Sequence, residues 1–433
     1  MNERTIADPR LDGRRRAGFV SKMARRLLFG NLRNIRSGSV TLIEGSVRHA
    51  FGDPQAEPDL SVVLQVESPN FYSSVVFGGS IGAAESYMRV EWSCDGLVDV
   101  VRILVLNREV LDTMDSRWAW ALLPFHRLFH FLHKNTVGGS AKNIEAHYDL
   151  SNEFFSLFLD ETMTYSCAVF ESPDQDLRDA SIAKIDRICR KLDLRPTDRV
   201  VEIGAGWGAF AIHAAENYGC HVTTTTISKA QYELATQRVR ERGLEGRIEI
   251  LLEDYRKLEG RFDKLVSIEM IEAVGHQYYD AFFKKCSDLL HDDGRMLLQC
   301  ITIADSLFES HVRSVDFIKR YVFPGSCLPS VAAIMKSVST ETDMTLSHVE
   351  DLTVHYVRTL AEWRRRFFDK LSDVRKLGYS EEFIRMWEYY LCYCEGAFAE
   401  RTILDMHLVF AKAGCRCQPI LPGRRSLVSE ETA

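Results

Sequence analysis

Residues 200–208 read VVEIGAGWG, an apolar run that ends in an acid and a burst of glycines. A helical pattern over 209–217 follows directly, so the stretch predicts a strand, a tight turn and the start of a helix. Glycines let backbone N–H groups approach a ligand closely, and an open helix N-terminus favours polar or anionic ligand groups. The stretch therefore predicts a nucleotide-type cradle built on Gly204, Gly206 and Gly208.

Two cofactor classes use such a turn, and the next predicted strand separates them. A dinucleotide site expects G-x-G-x-x-G/A, which Gly204, Gly206 and Ala209 satisfy, and an acid about 20 residues further on. The second predicted strand, 221–226, has no acid at its tip. An S-adenosylmethionine (SAM) site instead expects an acid two residues before the first glycine, which Glu202 supplies. The sequence therefore favours SAM.

The composition is that of a globular protein with two or three domains: 433 residues, 46% hydrophobic and 27% charged. No apolar run approaches the roughly 20 residues needed to cross a bilayer. Eleven cysteines without regular spacing indicate reduced thiols in a cytoplasm, and they suggest no metal site. We therefore expect a cytoplasmic protein.

The charge is unevenly distributed along the chain. Residues 1–36 hold ten Lys and Arg against three Asp and Glu, whereas the whole chain has a net charge of −7. Apolar residues such as Phe19, Leu28 and Phe29 are interleaved with these cations. This basic leader is either a disordered arm or a segment that contacts an anionic membrane surface.

The remaining chain divides into a small mixed domain and a larger α/β domain. Residues 37–134 predict a smaller N-terminal α+β domain, 135–145 a linker, 146–417 the larger domain, and 418–433 a disordered tail. Within the small domain we expect a strand at 60–66, a glycine loop at 77–82 and a helix over 83–92.

The larger domain alternates as a doubly wound sheet does. Its predicted strands are 199–203, 221–226, 248–252, 262–268, 294–301 and 406–412, and its predicted helices are 177–192, 209–217, 228–242, 278–291, 359–377 and 381–401. Ligands bind such sheets at the carboxyl ends of the strands, near the reversal of strand order. Glu272 follows one such end and Gln299 lies at another, so we expect them to share a pocket with the glycine turn.

With these residues in place, the chain resembles the cyclopropane-fatty-acyl-phospholipid synthase family of SAM-dependent methyltransferases. The resemblance covers residues 30–412, and the order and spacing of its motifs carry it. These motifs are HYDLSN at 147–152, MTYSCA at 163–168, the glycine turn, TISKAQ at 226–231, DYR at 254–256, SIEMIEAVG at 267–275, YVFPG at 321–325, HYVRTL at 355–360 and YCEGAF at 393–398. The implied fold is a class I SAM-dependent methyltransferase with a Rossmann-like doubly wound sheet.

The small domain also resembles the accessory domain of the members that modify bacterial phospholipids. The resemblance rests on GGSIG at 78–82 with Glu85, Tyr87, Met88 and Trp92. It implies unsaturated phospholipid as substrate and a peripheral position at the inner face of the membrane. Because family members often dimerise, a homodimer is a further expectation.

The resemblance implies transfer of a methylene from SAM to the cis double bond of an unsaturated acyl chain, through a carbocation that a bound bicarbonate deprotonates. The implied catalytic residues are Glu272, Tyr356, Cys167, Gln299 and Cys394, and the implied bicarbonate ligands are Cys167, Glu272, Gln299, Ile301 (through its backbone) and Tyr356. The implied SAM-binding residues are Tyr165, Ser166, Gly204, Gly206, Gly208, Thr226, Ile227, Gln231, Asp254 and Tyr255. Tyr321, Phe323 and Phe398 are candidates to line an acyl channel.

One departure from the family pattern keeps alternatives open. The best-known bacterial members carry His where this chain has Gln299, and an amide cannot act as a base. The product could then be a ring or a methylene or methyl branch. A small-molecule N-methyltransferase and an inactive SAM-fold scaffold or lipid-binding protein are further alternatives.

Overall fold

The computed structural model describes residues 18–55, 57–108, 150–416 and 420. The chain forms two compact units, the first from Met1–Gly138 with Glu381–Tyr389, and the second from Gly139–Ser380 with Tyr390–Ala433. The predicted linker, the start of the predicted leader and all of the predicted tail except Ile420 lie outside the described residues.

The first unit contains a four-stranded sheet and helices on it. Strand β1 pairs with β2 in antiparallel and with β3 in parallel orientation, and β3 pairs with β4 in antiparallel orientation. The elements in chain order are α1 (Phe19–Leu32), β1 (Ser39–Glu44), β2 (Val47–Gly52), β3 (Ser61–Val66), α2 (Asn70–Met88), β4 (Trp92–Cys94) and α3 (Leu97–Leu106).

Part of the predicted basic leader belongs to this unit. Helix α1 buries Ala24, Leu28 and Phe29, and its Arg25 guanidinium donates to the Glu44 carboxylate on β1. For residues 19–32 the disordered alternative is therefore wrong, because an apolar helix face and an ion pair fix this stretch to the sheet.

The glycine loop predicted at 77–82 is also wrong, since these residues lie within α2. The helix is interrupted at Gly79, whose φ is 56°. A Cβ on Gly82 would lie 1.9 Å from the backbone oxygen of Ser74, so the close approach of the two helix halves requires glycine there. The segment predicted as helix through Trp92 ends at Met88, and Trp92 begins β4.

The second unit is built on a seven-stranded sheet in the order β10-β11-β9-β8-β5-β6-β7. Strands β5 to β9 are parallel, and β11 and β10 add to the β9 edge in antiparallel pairs. The strands are β5 (Arg199–Ile203), β6 (His221–Thr226), β7 (Ile248–Leu252), β8 (Phe262–Ile268), β9 (Leu290–Ile303), β10 (Thr345–Asp351) and β11 (Ile403–Ala411).

Helices cover both faces of this sheet. The helices along this part of the chain are α4 (Asn152–Ser156), α5 (Leu177–Leu192), α6 (Ala209–Tyr218), α7 (Lys229–Glu241), α8 (Tyr279–Leu289), α9 (Asp305–Arg313), α10 (Phe317–Tyr321), α11 (Val331–Glu341), α12 (Thr353–Asp369), α13 (Leu371–Lys376) and α14 (Glu381–Ala399), and residues Glu381–Tyr389 of α14 belong to the first unit. Short 3₁₀ turns lie at Tyr255–Lys257, Ile271–Ala273 and His276–Tyr278. The single helix predicted over 359–377 is thus two helices, α12 and α13.

Strand β5 positions the site, because the strand order reverses beside it. Its neighbours are β6 on one side and β8 on the other. Val200 and Val201 point to opposite faces and join two separate apolar cores, as expected of a strand buried on both sides. The carboxyl ends of β5 and β8 therefore open side by side at the position where doubly wound sheets bind ligands.

Candidate active site

The glycine turn after β5 has the backbone that the sequence predicts. Gly204, Gly206 and Gly208 have φ values of 101°, 50° and 85°. A Cβ added to Gly204 would lie 3.1 Å from Met270 Cγ, so the turn touches the segment that follows β8. A Cβ on Gly206 would meet no atom of the described residues within 4 Å. The turn is thus closed on one side and open on the other, where backbone N–H groups are accessible to a ligand.

Glu202 lies beneath this turn rather than in it. Its side chain is 2% exposed and accepts a 2.6 Å hydrogen bond from the Thr224 hydroxyl on β6. Burial raises the pKa of Glu202 to about 8, although the Thr224 bond opposes the shift. Glu202 therefore fixes the β5–β6 pair and is protonated near neutral pH.

At the end of β6, Thr226 and Gln231 are hydrogen-bonded to each other and Ile227 is exposed. The Thr226 hydroxyl donates to Gln231 Oε1 at 2.8 Å, which fixes the amide at the start of α7. Ile227, between them in sequence, is 79% exposed. Thr226 and Gln231 thus present polar groups at this strand end, and Ile227 presents an apolar surface.

Asp254, after β7, is engaged with its own neighbour. Its carboxylate accepts from the Arg256 backbone N–H at 2.9 Å and from the Arg256 guanidinium at 2.6 Å. The hydrogen bond from the Arg256 side chain lowers the pKa of Asp254. Asp254 thus caps the 3₁₀ turn that begins at Tyr255, and burial raises the pKa of the Tyr255 hydroxyl to about 12.

The centre of the candidate site is Glu269, which the sequence analysis did not select. Its Oε2 accepts from the Tyr356 hydroxyl at 2.6 Å. Its Oε1 accepts from Gln299 Nε2 and from the Cys167 backbone N–H, both at 2.8 Å. Its backbone φ is 47°, in the left-handed region that a non-glycine residue rarely adopts. The available signal was the pair of acids in SIEMIE, of which only the second, Glu272, entered the prediction.

Glu272 is held differently. Its Oε1 accepts from the Ile301 backbone N–H at 2.5 Å, and its buried Oε2 has no hydrogen-bond partner in the described part of the chain. Burial, and next the charge of Glu269, raise the pKa of Glu272 to about 8. Glu272 is therefore mostly protonated at neutral pH.

Gln299 is oriented by a chain of hydrogen bonds behind it. Its Nε2 donates to Asp405 Oδ2 at 3.0 Å as well as to Glu269, and its Oε1 lies 3.1 Å from His407 Nε2. The Lys191 ammonium lies 2.9 Å from His407 Nδ1, so Nδ1 accepts and Nε2–H donates to the amide oxygen. The amide therefore directs both of its N–H groups at carboxyl groups.

One buried ammonium faces this group of acids. Lys184 is 1% exposed, and its Nζ donates to the Ser166 hydroxyl at 2.8 Å. Burial lowers the pKa of Lys184, and the charge of Glu269 opposes that shift. Asp405 is fully buried, and burial raises its pKa. In the described residues no group of His, Cys, Asp and Glu side chains could hold a metal ion.

The predicted bicarbonate ligands do not fit an additional anion. The Tyr356 hydroxyl and the Gln299 amide already donate to Glu269, and the Ile301 N–H donates to Glu272. The Cys167 thiol donates to a neighbouring backbone oxygen at 3.2 Å. A bicarbonate would compete with these carboxyl groups for the same donors and would add charge to an acidic cluster.

The two cysteines predicted to be catalytic are both held as thiols. Burial raises the pKa of Cys167 and of Cys394, and neighbouring acids add to both shifts. A thiolate nucleophile therefore has no support here, because only the ionised form attacks.

Aromatic side chains surround the carboxyl cluster. The Tyr356 ring stacks on Phe398 with centroids 4.4 Å apart, and the Tyr165 ring lies 5.2 Å from Trp363. The Tyr165 hydroxyl is 2.8 Å from that of Tyr390. Phe323 lies next to Tyr390, with centroids 6.0 Å apart, and is 42% exposed, whereas Tyr321 packs on Phe317 instead.

The seven-stranded sheet, the turn at its strand-order reversal and the polar groups beside it define a class I SAM-dependent methyltransferase, and the predicted fold class is thereby confirmed. The family model of mycolic acid cyclopropane synthetase matches residues 136–408. The chain belongs to this family and is a SAM-dependent methyltransferase.

Two relatives and one solved structure illustrate the match. The chain is 38% identical over 327 residues to tuberculostearic acid methyltransferase UfaA1 of Mycobacterium tuberculosis, covering 74% of this chain and 76% of the relative. It is 37% identical over 350 residues to cyclopropane-fatty-acyl-phospholipid synthase of Escherichia coli, covering 81% and 87%. The structure of mycolic acid cyclopropane synthase CmaA1 complexed with SAH and CTAB matches with a TM-score of 0.58 and 36% identity, covering 63% of this chain and 98% of that one.

Proposed function

We propose that this enzyme transfers a methylene from SAM to the cis double bond of unsaturated acyl chains in membrane phospholipid and forms a cyclopropane ring. The observation that carries the proposal is the aromatic-walled group of carboxyls beside the glycine turn. A cationic intermediate needs electron-rich groups nearby and no water, and this arrangement offers both. The name of the Escherichia coli relative, a cyclopropane-fatty-acyl-phospholipid synthase, supports the same reaction.

For SAM, we propose that the turn at Gly204, Gly206 and Gly208 holds the amino-acid end, with Tyr165 and Ser166 closing over it. Thr226, Ile227, Gln231, Asp254 and Tyr255 would then bracket the ribose and adenine. The open side of Gly206 and the bonded pair of Thr226 and Gln231 support this arrangement. When bound, SAM supplies an electrophilic methyl group on a sulfonium.

For the acyl chain, the proposed wall consists of Tyr356, Phe398, Tyr165, Trp363 and Phe323. Rings that turn their electron-rich faces towards a cation stabilise it by about 0.5–2 kcal/mol each. Phe323 is half exposed, which suits a side chain at the mouth of a channel. The buried rings exclude water, which would otherwise trap the cation. Cys167 would contribute its backbone N–H and Cys394 only packing.

For the membrane, we propose peripheral contact through α1. Phe19 and Val20 are 83% and 41% exposed at its first turn, and Lys22 and Arg26 are exposed beside them. Apolar side chains flanked by cations favour an anionic lipid surface. No helix in the described residues is long and apolar enough to span a bilayer. Binding to anionic but not zwitterionic vesicles, reduced in a Phe19→Ser variant, is the expected result.

A second product is favoured by one specific match. The relative UfaA1 is a tuberculostearic acid methyltransferase by name, at 38% identity. The same cation would give a methylene branch if a hydride first shifted from the methyl-bearing carbon to the cationic carbon and a proton of the new methyl group were then lost. A methyl branch would require a reductant in addition.

The test is lipid mass spectrometry after expression in a host rich in monounsaturated phospholipid. The proposal expects a gain of one CH₂ on those chains, and proton NMR should then show cyclopropane rather than vinylic methylene signals. The matched control is Gly206→Ala, whose added Cβ projects into the open side of the turn. Because SAM is proposed to bind on that side, this variant should leave the lipids unchanged. Unchanged lipids with measurable SAM binding by the purified protein would contradict the proposal.

A further inference from the structure

We infer that the Glu269 carboxylate is the base of this active site, built into the chain in the position where a bicarbonate is expected. This inference deepens the proposed function and rests on it. It assigns the final proton transfer to a residue that the family resemblance did not imply.

Three hydrogen-bond donors surround the Glu269 carboxylate. The Tyr356 hydroxyl, the Gln299 amide and a backbone N–H converge on the two oxygens of Glu269 within 2.6–2.8 Å. A carboxylate and a bicarbonate present the same planar pair of acceptor oxygens, so one set of donors serves either group. In this chain the carboxylate of Glu269 already accepts hydrogen bonds from all three donors.

The hydrogen bonds also decide which of the three acids carries the negative charge. Glu269 accepts three hydrogen bonds, whereas Glu272 accepts one from Ile301 and leaves Oε2 without a partner in the described residues. Asp405 is fully buried and likewise leaves Oδ1 without a partner there. Donated hydrogen bonds stabilise the ionised form of an acid, and burial without them favours the neutral form. The negative charge that offsets Lys184 therefore resides on Glu269, and the other two acids are neutral.

The position of Glu269 in the fold also favours it as the base. Glu269 directly follows β8, and the next residue, Met270, contacts the glycine turn at Gly204. Its side chain is partly exposed, whereas Glu272 and Asp405 are buried. Of the three acids, Glu269 is thus the one that a reacting group beside the turn can reach.

Gln299 fits this role for Glu269. A neutral amide that accepts from His407 must direct its N–H groups forward, so it holds the carboxylate and cannot itself remove the proton. Tyr356 holds the other oxygen. Both are positioning residues for the base.

The chemical step balances without any further reactant. One alkene carbon bonds to the transferred methyl as the methyl–sulfur bond breaks, which leaves a cation on the neighbouring carbon. A methyl C–H proton then passes to Glu269, and the electron pair of that C–H bond closes the ring onto the cationic carbon. A sulfonium, a carboxylate and an alkene thus become a thioether, a carboxylic acid and a cyclopropane, all neutral.

The first experiment measures turnover in carbon-dioxide-free buffer with and without added bicarbonate. Wild-type activity should not respond to bicarbonate, and Glu269→Gln should lose on the order of 100-fold or more in kcat. Glu269→Ala should regain activity with bicarbonate or formate, because the vacated donors can hold a small carboxylate. Glu249→Gln, an exposed acid on β7, is the matched control and should keep wild-type activity. A bicarbonate-dependent wild type, or a fully active Glu269→Gln variant, would overturn the inference.

A second experiment is independent of the lipid product. Line broadening of ¹³C-bicarbonate by purified protein should be absent with wild type, present with Glu269→Ala and lost again in Glu269→Ala/Tyr356→Phe. SAM binding by calorimetry shows that each variant is folded. Tyr356-dependent bicarbonate binding by wild type would overturn the inference even if the lipid substrate were misassigned. If no lipid product forms but this pattern holds, the proposed function fails and the assignment of the donor set to Glu269 stands.

Discussion

Glu44 in the first unit and the acids around Glu269 in the second unit follow opposite electrostatic patterns. In the first unit Glu44 accepts from Arg25 at 2.9 Å, from Tyr72 at 2.5 Å and from the His49 ring at 3.0 Å. Burial would raise the pKa of Glu44, but the hydrogen bonds from Arg25 and Tyr72 outweigh it and lower the pKa. This cluster is neutralised and joins α1 to the sheet.

The acids around Glu269 in the second unit have no arginine among their hydrogen-bond partners in the described residues. Burial raises the pKa of Glu269, Glu272 and Asp405. Acids that burial desolvates and that no cation contacts through a hydrogen bond cost stability, and such costs are retained mainly where chemistry requires them. The difference indicates that the neutralised group around Glu44 is structural, and it supports the group around Glu269 as the candidate site.

The largest expected effect comes from removing one donor to the central acid. Tyr356→Phe keeps the ring stacked on Phe398 but removes the hydroxyl from Glu269. A lost donor of this kind typically costs about 100-fold in kcat. Steady-state kinetics should show this loss with an unchanged affinity for SAM, and wild-type kcat would refute the positioning role.

The second variant, Glu272→Gln, tests whether Glu269 and Glu272, the two acids of the SIEMIE segment, have different roles. Glu272→Gln keeps a neutral group that can accept from the Ile301 N–H, so we expect a loss on the order of tenfold, well below that of Glu269→Gln. The comparison requires both variants in the same assay. Equal losses would mean that Glu272 must ionise during turnover.

A third prediction concerns pH. The pKa of buried Glu202 is about 8, above its usual value, so the folded state holds a proton that the unfolded state releases. This contribution to stability is present at low pH and declines as pH rises towards 8, by up to about 1.4 kcal/mol per unit. Glu202→Gln should therefore melt with a flatter pH dependence in differential scanning fluorimetry. A profile identical to that of wild type would exclude a raised pKa.

The smallest effect is expected in the first unit and has the opposite sign. The lowered pKa of Glu44 means that its contribution is present near neutral pH and is lost as pH falls. Because the cluster is partly exposed and screened, Glu44→Gln should cost about 1 kcal/mol in unfolding free energy at pH 7. The loss should shrink at acidic pH, and kcat with soluble substrate should not change. Glu67→Gln, an exposed acid, is the control.

The sequence predicted the parallel strands better than the elements around them. The bounds of β5 to β8 agree with the prediction, because buried parallel strands are continuous apolar or β-branched runs that end in turn residues. The edge strand β10 was missed, since its residues alternate between exposed and half-buried and form no apolar run. The glycines of α2 were misread as a loop because glycine marks both loops and close helix contacts.

For the candidate site, the structure brings several of the predicted residues together around Glu269, which the prediction omitted. Tyr356, Gln299 and Ile301 were predicted as ligands of an absent anion, yet their partners are two acids of the chain itself. Which acid receives which donor depends on backbone direction after β8, and the positive φ of Glu269 cannot be read from residue type. Asp405 and His407 were not predicted, because polar residues in a last strand are usually exposed, whereas both of these are buried.

The left-handed backbone at Glu269 has an evolutionary consequence. Glycine would adopt that conformation without steric strain and would also remove an acid whose pKa is raised by burial, so selection for thermostability alone should drive the position towards glycine. In a library of variants, selection for heat resistance should therefore enrich glycine at position 269. Selection for methyl transfer should instead enrich glutamate there. The side chain at position 269 lowers the stability of the fold, and it is retained because turnover requires it.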